Sequence, residues 1–169
     1  MNDIFDLASF EHANGRLLSM RAEWAALFGE ALAGIDPWRR LGYSPSALTR
    51  YLSSNGPRRR ALAILEQGVL AGCLTLQPDW LRGPLLELLA VLPGFQGGGL
   101  GGALIAWLAE QTGHQGQTNL WTISSEFNQS ARAFYRQQGF EEVGVLPGLI
   151  QPTETEILLR LRLPRYPME

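Results

Sequence analysis

The chain has 169 residues and contains no lysine; all fourteen of its basic side chains are arginines. That absence excludes Schiff-base catalysis and self-acylation on a lysine side chain. It also excludes the Gly-Lys-Ser/Thr end of a nucleotide-triphosphate loop. Cysteine is nearly absent too. Cys73 stands alone, so no internal disulfide can form, and a cytosolic (cytoplasmic) setting is expected. The start, Met-Asn-Asp-Ile-Phe-Asp, lacks the basic residues and small-residue cleavage site of a secretory signal. Long hydrophobic runs are missing, each being broken by Gly, Pro or charge, so no transmembrane helix and no membrane partner are expected. Net charge is only −2, which argues against a nucleic-acid partner. The single basic run, Arg58-Arg59-Arg60, reads as a solvated approach to a strand. His12 and His114 share no ligand spacing with Cys73 or with acids, so no metal is expected.

What is present is an apolar chain, 46% hydrophobic, long enough for one domain with a sizeable core. Residues 5–10 suggest a short first strand. Residues 17–32 suggest a helix, with Leu17, Leu18, Trp24, Leu27, Phe28 and Ala31 at three- and four-residue spacings, closed by Gly34-Ile35-Asp36-Pro37. Ser44 as N-cap and Pro45 at the first helical position start a second helix, running to Ser53 and stopped by Asn55-Gly56-Pro57. Residues 61–66 and 69–76 form a hairpin around Gln67-Gly68, and residues 78–84 a loop. A near-continuous apolar strand, 85–92, suits a central position covered on both faces. A helix over 100–112 ending at Gly113, a strand over 119–124, a helix over 128–138 ending at Gly139, and strands over 141–146 and 156–163 complete the pattern. The sum is an α/β (α+β) sandwich, a single domain spanning 1–169, with a mixed, largely antiparallel central sheet flanked by helices.

The densest signal lies where strand 85–92 meets helix 100–112. Gln96, Gly97, Gly98, Gly99, Leu100, Gly101 and Gly102 leave a backbone free to aim its N–H groups at one point without Cβ atoms in the way. The following helix N-terminus adds unpaired N–H groups and partial positive charge, so the segment reads as a phosphate or pyrophosphate site. Gly97, Gly99 and Gly102 satisfy Gly-x-Gly-x-x-Gly, with Glu126 at the distance where the dinucleotide fingerprint places a ribose-binding acid. Against a dinucleotide-dependent oxidoreductase, Pro93-Gly94-Phe95-Gln96 intervenes after the strand, and only about one further strand–helix unit follows.

A second pattern fits better. Val91-x-Pro93-x-x-Gln96-Gly97-x-Gly99-Leu100-Gly101 is followed by Asn128-x-x-Ala131-x-x-Phe134-Tyr135-x-x-x-Gly139-Phe140. In these two blocks, over residues 61–146, the chain resembles the GNAT superfamily of acyl-CoA-dependent N-acyltransferases. The resemblance implies a GNAT-like fold and acetyl-CoA as cosubstrate. It also implies direct acetyl transfer to a primary amine of a small molecule or peptide. A homodimer is an accessible assembly, and 1–60 would be a helical segment on the acceptor side. A non-catalytic acyl-CoA sensor of the same fold is the alternative from another class.

The resemblance also assigns roles. Residues 96–102 would hold the pyrophosphate, although Gly98 stands where relatives often carry Lys or Arg. The backbone of Leu89, Ala90 and Val91 would pair with the pantetheine arm, because the neighbouring strand splays away in relatives. Asn128 would hold that arm, besides capping its helix, and Tyr135 would protonate the leaving thiolate. Arg132 and Arg136 could approach the adenosine phosphates or simply lie in solvent. Glu87 is the only charge in its strand. Without a partner its pKa should rise, which suits a general base; paired with an arginine it would be structural. Glu126 and Asp79 are the fallback bases. Trp38, Trp80 and Trp121 are candidates for lining an acceptor cleft, and Cys73 reads as core.

Overall fold

The computed structural model describes residues 15–164. The strand expected over 5–10, and His12, lie outside them. In chain order the elements are β1 Arg16–Ser19, α1 Ala22–Ala33, α2 Pro45–Ser53, β2 Arg60–Glu66, β3 Val69–Trp80, β4 Gly83–Val91, α3 Leu100–His114, β5 Asn119–Ser125, α4 Gln129–Gln137, β6 Glu141–Pro147 and β7 Thr155–Arg162. They build one seven-stranded sheet in the order β1-β2-β3-β4-β5-β7-β6. Every neighbouring pair is antiparallel except β4–β5, which is parallel. This is the mixed, largely antiparallel sheet that the sequence leads one to expect.

Local chemistry sets most element ends. Gln67 (φ 51°) and Gly68 (φ 78°) both take positive φ, the two-residue turn whose twist matches a β2–β3 hairpin. Ser44 Oγ accepts from Ala47 N–H at 3.1 Å, and Pro45 opens α2 as expected.

Three expectations are corrected. The helix expected from residue 17 begins only at Ala22. The residues before it pair with the edge of β2, from Arg16↔Leu65 to Ser19↔Leu62, and Leu17 is buried there. Two adjacent leucines serve a strand or a helix equally well, and the open backbone edge of β2 decides between them. The expected loop 78–84 is instead the tip of a long β3–β4 hairpin, in which Trp80 pairs with Gly83 across Leu81-Arg82. Helix α3 runs past Gly113 to His114, because its left-handed stop is Gly116 (φ 73°).

The helices cover both faces of the sheet. On one, Phe28, Leu32, Leu48 and Leu52 of α1 and α2 pack on Ala63, Cys73, Leu88 and Ala90. On the other, Leu100, Leu104, Ile105 and Leu108 of α3 pack on Ile64, Leu74, Leu76, Leu86 and Leu159. Each Leu, Ile or Phe among them, fully buried, stabilises by roughly 1.5–3 kcal/mol.

One irregularity positions the site. Leu76 pairs with Leu86 but Thr75 pairs with Leu88, so Glu87 is an extra residue in β4. Such a bulge bends its strand and interrupts pairing. Accordingly, β4 pairs with β5 at only two positions, Leu85↔Trp121 and Leu86↔Thr122. Beyond the bulge the two parallel strands part.

Candidate active site

The parting of β4 and β5 opens a cleft of about 330 Å³. Its floor is β4 (Leu85, Glu87, Leu88, Leu89) and the end of β5 (Ile123, Ser124, Ser125). One wall is α4, through Asn128, Ala131 and Tyr135. The opposite side is formed by the α1–α2 connection, with Pro37, Trp38, Leu41 and Tyr43, and by the β6–β7 loop, with Leu149 and Ile150. Two contacts tie that connection to that loop. Arg40 Nε donates to Glu154 Oε1 at 3.0 Å, and Gln151 Nε2 donates to the Leu41 carbonyl at 2.8 Å. Arg40 also lies over the Phe127 ring, 3.9 Å from its centroid.

The glycine segment lies at the end of β4. Gln96 Nε2 donates to the Val91 carbonyl at 2.8 Å, fastening the segment to the last strand residue. Gly97 (φ 81°) and Gly99 (φ 86°) take left-handed conformations that cost other residues steric energy. A Cβ on Gly97 or Gly98 would meet open space. Gly99 caps α3, and the first intrahelical bond runs from Ala103 N–H to Gly99 O at 3.0 Å. The N–H groups of Leu100, Gly101 and Gly102 thus belong to the unsatisfied first turn, suited to an anion. Gly101 has a second duty: a Cβ there would lie 3.2 Å from the Phe134 ring.

Helix α4 presents a stripe at i, i+3 and i+7. Asn128 caps it, Oδ1 accepting from Ala131 N–H and from Ser130 Oγ, each at 3.2 Å. Tyr135 is 6% exposed and lies edge-on to Phe134 and Phe140, with centroids 5.2 and 5.3 Å away. Burial raises its phenol to about 12, with a hydrogen bond to Thr122 pulling the other way. It is both a core aromatic and a cleft residue, and at neutral pH it keeps its proton.

Glu87 corrects an expectation. Its carboxylate is not alone among leucines. It accepts from Arg59 Nε at 2.7 Å, Arg59 Nη2 at 3.2 Å, Tyr51 Oη at 2.8 Å and Gln77 Nε2. Burial alone would raise its pKa, but the Arg59, Tyr51 and Gln77 hydrogen bonds and the Arg59 charge outweigh that and lower it. Of the two readings that the sequence leaves open, the arginine-paired one describes the geometry. A saturated carboxylate held ionised is a poor proton acceptor. Arg59, read as solvated, turns out to be its partner, with its guanidinium 4.4 Å from the Tyr51 ring centroid.

A second carboxylate in the cleft went unnoticed in the sequence. Glu156 on β7 is 2% exposed, and its only hydrogen-bond donor among the described residues is Ser125 Oγ, at 2.9 and 3.1 Å from the two oxygens. Burial raises its pKa; the Ser125 bond opposes this, and the charge of Glu154 adds to it. Ser124 Oγ, on the same floor, is buried with no partner among the described residues. In the sequence Glu156 is the first residue of the expected strand 156–163, directly after the polar stretch 151–155. Ser125, the last residue of β5, stands opposite Glu156 in register.

The remaining candidates fall elsewhere. Arg132 is bidentate to Glu142, at 2.7 and 3.0 Å, and its third contact is the Glu126 carbonyl at 2.9 Å. Its guanidinium is thus occupied by Glu142 and the Glu126 carbonyl, and Arg136 also faces Glu142, at 3.9 Å. Trp80 and Trp121 pack on each other at 5.2 Å outside the cleft, leaving Trp38 as the tryptophan that lines it. Asp79 and Glu126 are exposed and do not line the cleft. Cys73 is buried core, its thiol pushed up to about 12. Residues 1–60 contribute α1 and α2 to the cleft side but also strand β1. Among the described residues, no helix is long and apolar enough to cross a membrane.

Comparison with known proteins agrees with this geometry. Residues 20–140 match the model of the acetyltransferase (GNAT) family. No curated protein sequence matches the chain. Among solved structures, nourseothricin acetyltransferase is 27% identical, over 64% of this chain and 67% of that one, with a TM-score of 0.58. The ribosomal-protein-S18-alanine N-acetyltransferase from Escherichia coli is 22% identical, over 92% and 97%, with a TM-score of 0.69. An aminoglycoside 6'-N-acetyltransferase complexed with coenzyme A is 16% identical, over 90% and 99%, with a TM-score of 0.66. The family match covers most of the chain and spans the diverging strands, the glycine segment and α4, and the chain belongs to the acetyltransferase (GNAT) family.

Proposed function

We propose that this protein transfers an acetyl group from acetyl-CoA directly to a primary amine. The observation that carries the reading is the parted β4–β5 edge, with Tyr135 on the wall of the cleft it opens and the glycine-capped start of α3 following the C-terminal end of β4 in the chain. Residues 97–102 would hold the pyrophosphate through backbone N–H groups, with no side-chain cation from Gly98. The backbone of Leu89, Ala90 and Val91, beyond the last β4–β5 pair, would hold the pantetheine amides, and Asn128 would assist from α4. Tyr135, neutral and buried, would give its proton to the departing sulfur. Glu87 would act as a positioning residue, locking the bulge through Arg59, Tyr51 and Gln77.

The test is calorimetry with acetyl-CoA, followed by detection of free thiol in the presence of an amine panel. Binding with a micromolar Kd is expected. A ligand at a hundred times its Kd should stabilise the fold by about 2.7 kcal/mol. Absence of binding by any acyl-CoA would overturn the proposal. Binding without amine-dependent thiol release would favour the sensor reading.

A further inference from the structure

The cleft contains two carboxylates in opposite situations. Glu87 has four donor contacts, including both from Arg59. Glu156 has one neutral donor, Ser125, and no cation among the described residues. A buried carboxylate with so little compensation is costly unless a positive group completes it. Glu156 lines the cleft, where such a group would meet it. Beside Glu156 lies Tyr43, from the α1–α2 connection. Around them the walls are apolar: Pro37, Trp38, Leu41, Leu149 and Ile150. The other charges nearby are already paired, since Glu154 is held by Arg40 at 3.0 Å. The site therefore offers one anionic point inside an apolar shell.

Resting on the acetyltransferase reading above, we infer that Glu156 anchors and deprotonates the acceptor, and that the acceptor is a monoamine with an apolar body rather than a polycation. The ammonium N–H bond breaks and its proton passes to a Glu156 oxygen. The freed lone pair forms the C–N bond to the thioester carbon, and the C–S bond breaks. The thiolate takes the Tyr135 proton. The second proton shed by nitrogen restores the phenol, and the Glu156 proton leaves to water. Oppositely perturbed acids in one cleft are the usual sign of divided roles, with Glu87 held ionised as a support and Glu156 poised to exchange a proton. The groups facing Glu156 are Ser125 from β5, Tyr43 from the α1–α2 connection and Glu154 from the β6–β7 loop, the last ion-paired with Arg40.

The experiment titrates the full chain with 2-phenylethylamine, its neutral isostere 2-phenylethanol and spermidine, following tryptophan fluorescence and calorimetry. The amine should bind at least about tenfold tighter than the alcohol and than spermidine. Glu156→Gln should erase the preference for amine over alcohol, while Glu110→Gln, on the exposed face of α3, should not change it. The alcohol arm on the unmodified chain needs no variant to fold. The inference is overturned if 2-phenylethylamine fails to bind up to about 10 mM, if it binds no better than the alcohol, if spermidine is preferred, or if Glu156→Gln binds it unchanged. In turnover, Glu156→Gln should lose the acid limb of the kcat/KM profile, and retention of that limb would also overturn it. Failure of acetyl-CoA to bind would sink the acetyltransferase reading alone, because the amine arms do not use it.

Discussion

Replacing Glu87 with Gln separates a supporting carboxylate from a proton acceptor. Gln keeps the shape but turns one acceptor oxygen into an NH₂ group facing donors, and it leaves Arg59 without its counter-ion. Hydrogen bonds to charged groups contribute roughly 1.5–3 kcal/mol net, and breaking a buried pair costs about 3–5. The Arg59 side chain is 32% exposed and that of Glu87 15%, so solvent screening reduces the loss. About 2 kcal/mol is expected, which moves a urea midpoint by about 1 M for a domain of this size. The pH dependence has a definite sign. The folded pKa of Glu87 lies below its ordinary 4.5, so its stabilisation is complete above 4.5 and is lost as pH falls from there through the lower, folded value. The gap between wild type and variant should therefore be widest near neutrality and close in acid. Urea unfolding at a series of pH values, read by tryptophan fluorescence, measures it. A midpoint unchanged at neutral pH, together with loss of the acid limb of kcat/KM, would refute the supporting role and restore Glu87 as base.

Tyr135→Phe should lower kcat by about 10²-fold with acetyl-CoA affinity nearly constant, since the ring and its Phe134 and Phe140 contacts remain; wild-type turnover in a single-turnover assay would remove Tyr135 from the chemistry. Gly98→Arg should fit, because a Cβ there meets nothing within 4 Å, and should tighten acetyl-CoA several-fold at low salt, a gain that calorimetry should see fade at high salt. Gly83→Ala should destabilise by about 3 kcal/mol or more, since its Cβ would lie 1.8 Å from the Asn119 carbonyl oxygen; an unchanged Tm would contradict that close approach. Cys73 should react with a thiol reagent only after unfolding, its rate tracking denaturation, because burial holds the thiol near 12.

Much of the molecule was written locally. The Ser44-Pro45 helix start, the Gln67-Gly68 turn, the Asn128 cap and the glycine segment all stand where their chemistry puts them. Each depends on neighbours within a few residues, so a linear reading suffices. The sequence alone also carried the family, because both motif blocks are contiguous. What it could not carry was partnership between distant residues. Arg59 and Glu87 are 28 positions apart, and only the packing of α2 and the start of β2 against the bulge makes a pair of them. That pair reverses the expected direction of the Glu87 pKa. Ser125 and Glu156 are 31 apart and meet through strand register alone, which makes the first residue of an expected strand a buried carboxylate in the cleft. Arg132 finds its carboxylate partner in Glu142, ten residues on. Backbone conformation is fixed mainly by near neighbours, whereas the ionisation of a carboxylate depends on which charges and donors the fold brings within a few ångströms, and that is decided only when the strands pair.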